Sequence, residues 1–224
     1  MPDYFHKIKT AAELLKASGH TMALTGAGVS TESGIRDYRG EDGVWTRDPE
    51  AEQRAYKLYQ EFKDDPTAYW ERIAENRRTG NDFSKYEPSR GHKALAELER
   101  MGLLQAIITQ NIDNLHNRAG SKNVYDYHGN HTKLRCLECG TREDISAAGI
   151  EALYEEKRLP PLCKNCGAPM KSDVVLFLEP IPRDVAVKSR EEAMRSDVVL
   201  ICGTSATVNP AANLPSYAKR RNGA

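Results

Sequence analysis

Along residues 4–18, apolar side chains recur at helical spacing (Tyr4, Ile8, Ala11, Ala12, Leu14, Leu15), and Gly19 follows where a helix would end. The pattern predicts a helix, and the apolar run Met22-Ala23-Leu24 behind it predicts a short strand over 21–25. From residue 41 to 86 the chain changes character and becomes charged, aromatic and poor in strand-forming runs. Asp48-Pro49 and Asp65-Pro66 each predict a helix start, with the acid as cap and the proline in the first turn. Tyr56, Tyr59, Phe62, Tyr69 and Trp70 read as a small core belonging to this helical excursion. The alternation of helix and strand resumes at Pro88. Helices are predicted over 89–101 (His92, Leu95, Leu98 and Met101 on one side), 183–195 and 210–221, the last stopped by Asn222-Gly223. Strands are predicted over 103–109, 124–127, 173–177 and 197–201. This rhythm predicts an α/β fold with an open parallel sheet, whose ligands bind at the carboxyl ends of the strands.

Polar clusters fall at those strand ends. Residues 25–40, TGAGVSTESGIRDYRG, open with Gly26-Ala27-Gly28. Two glycines one residue apart after a strand turn the backbone tightly and present N–H groups to a phosphate. A hydride-transfer dinucleotide fold would want a third glycine at position 31, where Thr31 stands, and an acidic residue about 20 residues on, at the tip of a second strand. No strand is predicted there, so the loop reads as a phosphate cradle outside the dehydrogenase pattern. Gln110-Asn111-Ile112-Asp113 carries an amide, an amide and a carboxylate that can hydrogen-bond a ribose and a carboxamide. The same residues suit a capped turn in which Asn111 or Asp113 closes the next helix, and spacing alone does not choose. His128, between a strand and Gly129, is placed where an imidazole can project into a cleft and activate a hydroxyl near neutral pH. It is one of six histidines, most of which are expected at surface or structural positions. Gly203-Thr204-Ser205 follows a buried strand and suits either a second part of a nucleotide or an ordinary strand–loop junction.

Charge and cysteine usage narrow the class. Lys and Arg number 32 against 32 Asp and Glu, so no global field draws the chain to nucleic acid or to a membrane surface. No apolar run approaches the ~20 residues of a bilayer span, and the start MPDYFHKIKT lacks the layout of a signal peptide. A cytoplasmic protein is expected. Cys136-x-x-Cys139 and Cys163-x-x-Cys166 are each followed by a glycine, Gly140 and Gly167, while Cys202 sits in an apolar run. Two such turns give a closed tetrahedral zinc site, structural rather than catalytic. Zinc-binding free energy in small modules is on the order of 10–16 kcal/mol, so loss of one cysteine should unfold this one. Basic and acidic residues interleave from Lys133 to Lys171, which leaves no phosphate-binding face there.

Taken together, these blocks resemble the sirtuin family of NAD-dependent protein deacylases. The matching segments are GAGVSTESGIRDYRG (26–40), TQNIDNLH (109–116), HG (128–129), the two CxxC pairs, VVLFLEPIP (174–182) and GTSATVNPAANLP (203–215). The resemblance implies a Rossmann-like NAD-binding domain from residues 1–40, 87–130 and 172–224, a helical insertion over 41–86 and a zinc-binding module over 131–171. NAD, consumed as co-substrate, and an acylated lysine of a protein substrate would meet in the cleft between them. By the same resemblance Gly26, Ala27, Gly28 and Thr31 cradle the phosphates, Asp37 and Arg39 help hold the cofactor, and Tyr38 lies beside the nicotinamide. Gln110, Asn111, Ile112 and Asp113 line the ribose and carboxamide pocket, with Asn111 and Asp113 counted as catalytic beside the general base His128. Gly203, Thr204 and Ser205 meet the adenosine side. The implied reaction removes acyl groups, acetyl above all, from lysine and yields nicotinamide, O-acyl-ADP-ribose and free lysine. Two other readings keep the same cofactor pocket: an NAD or ADP-ribose binding module with little catalysis, and mono-ADP-ribosyl transfer or NAD hydrolysis. The chain departs from the family at Arg36 and Tyr38, at Asn114 where glycine is usual, and at Leu178, which replaces the glycine of the Phe-Gly-Glu segment. It is also short at its C-terminus by that comparison, where a missing edge strand would bare apolar surface.

Overall fold

The computed structural model describes residues 2–80 and 83–221. Its larger sheet is built from β1 (Thr21–Thr25), β2 (Ala106–Thr109), β3 (Val124–Asp126) and β7 (Val198–Cys202). The smaller is built from β4 (Lys133–Cys136), β5 (Arg142–Asp144) and β6 (Met170–Ser172). The larger sheet is parallel throughout in the order β3-β2-β1-β7. β1 and β2 are buried along their whole length, which is why they read as unbroken apolar runs rather than as alternation. Successive side chains still divide between two faces. Met22, Leu24, Ala106 and Ile108 pack with Ala193 and Leu214 from the helices Arg183–Arg195 and Leu214–Arg221. On the other face Ala23 and Ile107 meet Leu95 of the helix Arg90–Arg100. The register pairs Thr25 with Thr109 on one side and with Cys202 on the other. Three strand ends are thereby level, and Gly26, Gln110 and Gly203 leave the sheet side by side.

The helix Pro2–Ala17 forms where the pattern predicts it, but Tyr4, Phe5, Ile8 and Leu14 stay exposed. β7 lies at an edge of the sheet, and its Ile201 is 49% exposed. The helix Arg90–Arg100 is capped by Ser89, and His92 fills the place a glutamate usually takes in a capping box. Met101 stands at the helix's C-terminal cap and is exposed, against the expectation that it shares the buried side. The final stop at Asn222-Gly223 lies outside the described residues. None of the described helices is long and apolar enough to cross a membrane.

The helices Pro49–Asp64 and Pro66–Arg78 start as expected, Asp48 and Asp65 accepting from the N–H groups of Ala51 and Ala68 at 3.2 and 3.0 Å. Their aromatics do not form a private core. Phe62, Tyr69 and Trp70 bury themselves against Leu134, Ile150 and Met170 of the cysteine-bearing segment. Trp70 Nε1 donates to the Met170 carbonyl at 2.7 Å, and the Tyr69 hydroxyl meets Ser172 Oγ at 2.7 Å. Tyr56, 42% exposed, instead lays its ring on Phe177. The helical insertion and the small sheet therefore share one core.

The predicted strand 173–177 is not a strand. Pairing stops at Ser172, where β6 runs antiparallel to β4. Just beyond that end Asp173 still donates to the Lys133 carbonyl of β4, and Val175 then leaves the ladder and donates to the His128 carbonyl, both at 2.8 Å. An apolar run was enough to suggest a strand, but these residues form a wall beside His128.

Candidate active site and zinc centre

The level strand ends open into a cleft of about 790 Å³. Gly26 to Gly28, Gln110 to Ile112 and Gly203 to Ser205 line one part of it, residues 174–181 another, and His128 is also among the lining residues. The glycines are required by backbone packing. A Cβ on Gly28 would lie 2.8 Å from Gly203 Cα, and one on Gly26 would lie 2.7 Å from Thr204 Cβ. Gly26 N–H donates to the Cys202 carbonyl at 3.1 Å and Gly28 N–H to the Gly203 carbonyl at 2.8 Å. Those two donors are engaged within the protein, so the first reason for this glycine pair is the contact between two turns. Gln110 Nε2 ties the turns together, donating to Thr204 Oγ1 at 2.9 Å. Asn111 Nδ2 donates to the Gly26 carbonyl at 3.1 Å and to Ser30 Oγ at 3.0 Å.

Asp113 and Thr31 do not line this cleft. Asp113 is 4% exposed. One of its oxygens accepts from the Ser30 hydroxyl at 2.6 Å, the other from Leu115 N–H at 2.9 Å. These contacts close the turn ahead of the helix Leu115–Arg118, and Asn114, at its N-cap, takes the left-handed backbone, φ 62°, that asparagine tolerates. Beneath Ser30 lies a buried histidine pair. His92 and His116 have ring centroids 4.6 Å apart, and His116 Nε2 meets Thr25 Oγ1 at 2.9 Å. Burial pushes the His116 imidazole down to about 3, with the charge of His92 acting in the same direction. Thr31 lines a second cavity of about 330 Å³, which it shares with Asp37 and Gly40. The Asp37 carboxylate accepts from Gly40 N–H at 2.9 Å and so closes its own loop. Tyr38 packs on Trp45 at 4.8 Å, and the Arg39 guanidinium lies over the same indole at 4.5 Å.

His128 is half-buried, and its Nδ1 lies 3.2 Å from the Gln110 carbonyl. A carbonyl can only accept, so Nδ1 carries the proton and Nε2 has no protein partner among the described residues. Burial lowers the His128 pKa, and the hydrogen bond to Gln110 offsets part of that. The imidazole is therefore neutral at pH 7 and able to take a proton. Gly129, at φ 76°, can only be glycine, since a Cβ there would run into the Asp173 carbonyl.

Residues 173–181 are fastened from behind. Arg135 pairs with Asp173 at 3.1 Å and with Glu179, and Arg142 joins Asp173 to Asp184. Lys171, fully buried, reaches Glu179 at 3.1 Å and donates to the Ser172 and Val174 carbonyls at 2.6 and 2.5 Å. Burial draws its pKa down to about 8, against the pull of Glu179. Glu179 N–H donates to the Leu176 carbonyl at 3.0 Å, which closes a turn with Leu178 at φ 68°. That is a type II turn, whose third position favours glycine. A residue with a Cβ in this conformation costs roughly 1–2 kcal/mol. The Glu179 side chain secures the turn by accepting from Leu176 N–H at 2.9 Å.

The four paired cysteines converge. Their sulfurs all lie within 4.8 Å of one another, with Cys136 to Cys166 at 3.5 Å and Cys139 to Cys163 at 3.6 Å. Tetrahedral zinc with bonds of about 2.3 Å sets sulfurs roughly 3.8 Å apart, so the set fits that ion. Cys202 stays apart from the set. Sequence reasoning did not single out Trp45, Phe177 or Ser30 for the site. The advance signals were Ser30's place inside the glycine stretch and Phe177's place inside the segment 174–182.

A parallel sheet with a dinucleotide-sized cleft at its strand ends, joined to a four-cysteine centre, defines a nucleotide-binding protein with a zinc module. The chain belongs to the Sir2 family, whose profile matches residues 26–210. A curated NAD-dependent protein deacylase of Thermococcus kodakarensis is 44% identical over 95% of this chain and 80% of its own length. An NAD-dependent protein deacetylase of Caldivirga maquilingensis is 43% identical over 96% and 79%. Among solved structures, a complex of a Sir2 homolog with NAD superposes with a TM-score of 0.74 at 39% identity, covering 96% of this chain and 80% of that one. A Sir2 complex with a deacetylated p53 peptide and 3′-O-acetyl ADP ribose gives 0.75 at 33% identity, covering 96% and 83%.

Proposed function

We propose that this protein removes acyl groups, acetyl above all, from protein lysines with NAD as co-substrate, releasing nicotinamide, free lysine and an O-acyl-ADP-ribose. The observation that carries the reading is His128: a neutral imidazole in the cleft, its Nδ1 held by the Gln110 carbonyl and its Nε2 unengaged by the described residues. The cleft suits a dinucleotide, since about 790 Å³ lies within the ~300–1,000 Å³ range of ligand pockets. Bound NAD would supply the ribose carbon that the acyl oxygen attacks as the bond to nicotinamide breaks.

The chain's own residues do the rest. Gly26, Ala27 and Gly28 give a wall without large side chains along the phosphates, and Thr204 and Ser205 face the adenosine end. Tyr38, Arg39 and Ile112 enclose the nicotinamide end and exclude water from it. Gln110 and Asn111 orient the ribose. Asp113 acts through Ser30, holding the glycine turn rather than touching the substrate. His128 Nε2 takes the proton of a ribose hydroxyl, a contribution typically worth about 10²–10⁴-fold. Residues 1–40, 87–130 and 172–224 form the NAD-binding part in this reading, while 41–86 and 131–171 frame the peptide side. The thiolate centre suits a reducing, cytoplasmic setting.

The test is incubation with NAD and an acetyl-lysine peptide, following nicotinamide, peptide and O-acetyl-ADP-ribose together. All three products are expected from the wild type. His128→Ala should lose about 10²–10⁴-fold in rate while NAD binding by calorimetry is largely kept; full activity in that variant would refute the assignment. Nicotinamide without deacylated peptide would favour ADP-ribosyl transfer or NAD hydrolysis, and bound but intact NAD would favour a binding module.

A further inference from the structure

In the wall from Val174 to Ile181 the large apolar side chain left exposed is that of Leu178. Val175 donates its N–H to the His128 carbonyl, and Phe177 packs its ring on Tyr56 and Trp45 at 4.7 and 5.6 Å. Glu179 is locked by Lys171 and Arg135. Leu178 lies between these anchors at φ 68°, in a conformation that disfavours its side chain, and it is 77% exposed while lining the cleft. An apolar side chain held against its backbone preference, on a turn fixed from behind, is strain kept at a binding wall. Folding gains almost nothing from it. In the reading above, on which this inference rests, NAD lies along the glycine turns, so the polypeptide meets the opposite wall. Val175 touches the backbone of His128, where the acyl group must react. Leu178 is three residues further along and more exposed, which in this reading sets it toward the residues that flank the acyl-lysine.

We propose that Leu178 is a specificity-determining residue for the peptide. Its side chain contacts the residue beside the acyl-lysine and favours an apolar neighbour over glycine or an acidic one. The contact is made when the peptide binds, so the preference falls on KM more than on kcat. A single apolar contact in an enclosed pocket discriminates by about 10–200-fold, so a contact on this open wall should give roughly tenfold.

Acetyl-lysine peptides that differ only in carrying Leu, Gly or Glu at each of the two positions on either side of the modified lysine provide the test. They are compared with the wild type, Leu178→Ala and Leu178→Gly. The wild type should prefer Leu to Gly roughly tenfold in kcat/KM at one flanking position. Both variants should bring that ratio within about twofold and leave the other positions unchanged. Leu178→Gly should also melt no lower than the wild type, because it relieves the left-handed strain and uncovers no buried surface. Absence of any flanking preference in the wild type would overturn the proposal, and so would a preference that survives in both variants. Loss in Leu178→Gly alone would also overturn it, since turn flexibility rather than the side chain would then set the preference. Should the wild type release no nicotinamide with any peptide, the deacylase reading itself fails, which is a separate outcome.

Discussion

The buried histidine pair under the glycine turn makes the protein's stability depend on pH in a defined window. His116 is 1% exposed, and burial together with the charge of His92 moves its pKa from 6.5 to about 3. In the unfolded chain the imidazole takes up a proton below about 6.5, whereas the folded one stays neutral until about 3. Between those values the unfolded state binds more protons, so stability falls as pH falls and is flat above the window. At pH 5 the difference from 6.5 amounts to about 2 kcal/mol, at 1.36 kcal/mol per pKa unit. Other groups also change charge on acidification, so the wild type alone is not diagnostic. His116→Phe isolates the effect. It keeps a ring against His92 and leaves the Thr25 hydroxyl without its 2.9 Å partner, a fixed loss of about 1–3 kcal/mol. Urea unfolding of both proteins, in excess zinc at pH 7.5 and pH 5.0, gives the gap between them at each pH. The gap should shrink by about 2 kcal/mol on going to pH 5.0, because only the wild type carries the His116 penalty. An unchanged gap would show that His116 is protonated in the folded protein and would remove the buried-neutral account of the pair.

Two further predictions concern the shared core. Trp70→Ala should cost about 3–5 kcal/mol in denaturant unfolding, since it empties a fully buried site and strips the Met170 carbonyl of its donor. Trp70→Phe should recover most of the packing but keep the cost of the missing N–H, about 1–3 kcal/mol. Cys163→Ser should abolish zinc by metal analysis and expose residues 131–171 to proteolysis. Because Phe62, Tyr69 and Trp70 pack on that segment, the helices Pro49–Asp64 and Pro66–Arg78 should lose hydrogen-exchange protection with it. Intact protection in those helices would contradict the shared core.

What could be read from the sequence was what short-range chemistry determines. The caps at Asp48 and Asp65, the cysteine turns and the apolar runs of β1 and β2 each need only a few neighbouring residues. The misreadings involve partners far along the chain. Trp70 donates to a carbonyl 100 residues away, and nothing near Trp70 signals that its core lies in the cysteine-bearing segment. At Asp113 the residues left a ligand-binding and a turn-capping role open, and its contact with Ser30, 83 residues away, has no local signal. The run 173–177 has the composition of a buried strand, and composition cannot say whether the Val175 N–H pairs with a neighbouring strand or with the His128 carbonyl.

Leu178 shows why such failures gather at the cleft. Turn chemistry predicts no left-handed residue at a leucine, and the local rule would hold if the loop were free to choose its conformation. It is not free: Glu179 closes the turn through Leu176, and Lys171 and Arg135 hold Glu179. A buried ion-pair cluster, assembled from residues on three separate stretches of chain, overrides the preference of one exposed residue. Local and global demands conflict in this wall and agree in β1 and β2. A conflict maintained by so many contacts points to a constraint that folding alone does not impose, and in the proposed reading the partner those residues face across the cleft is the substrate.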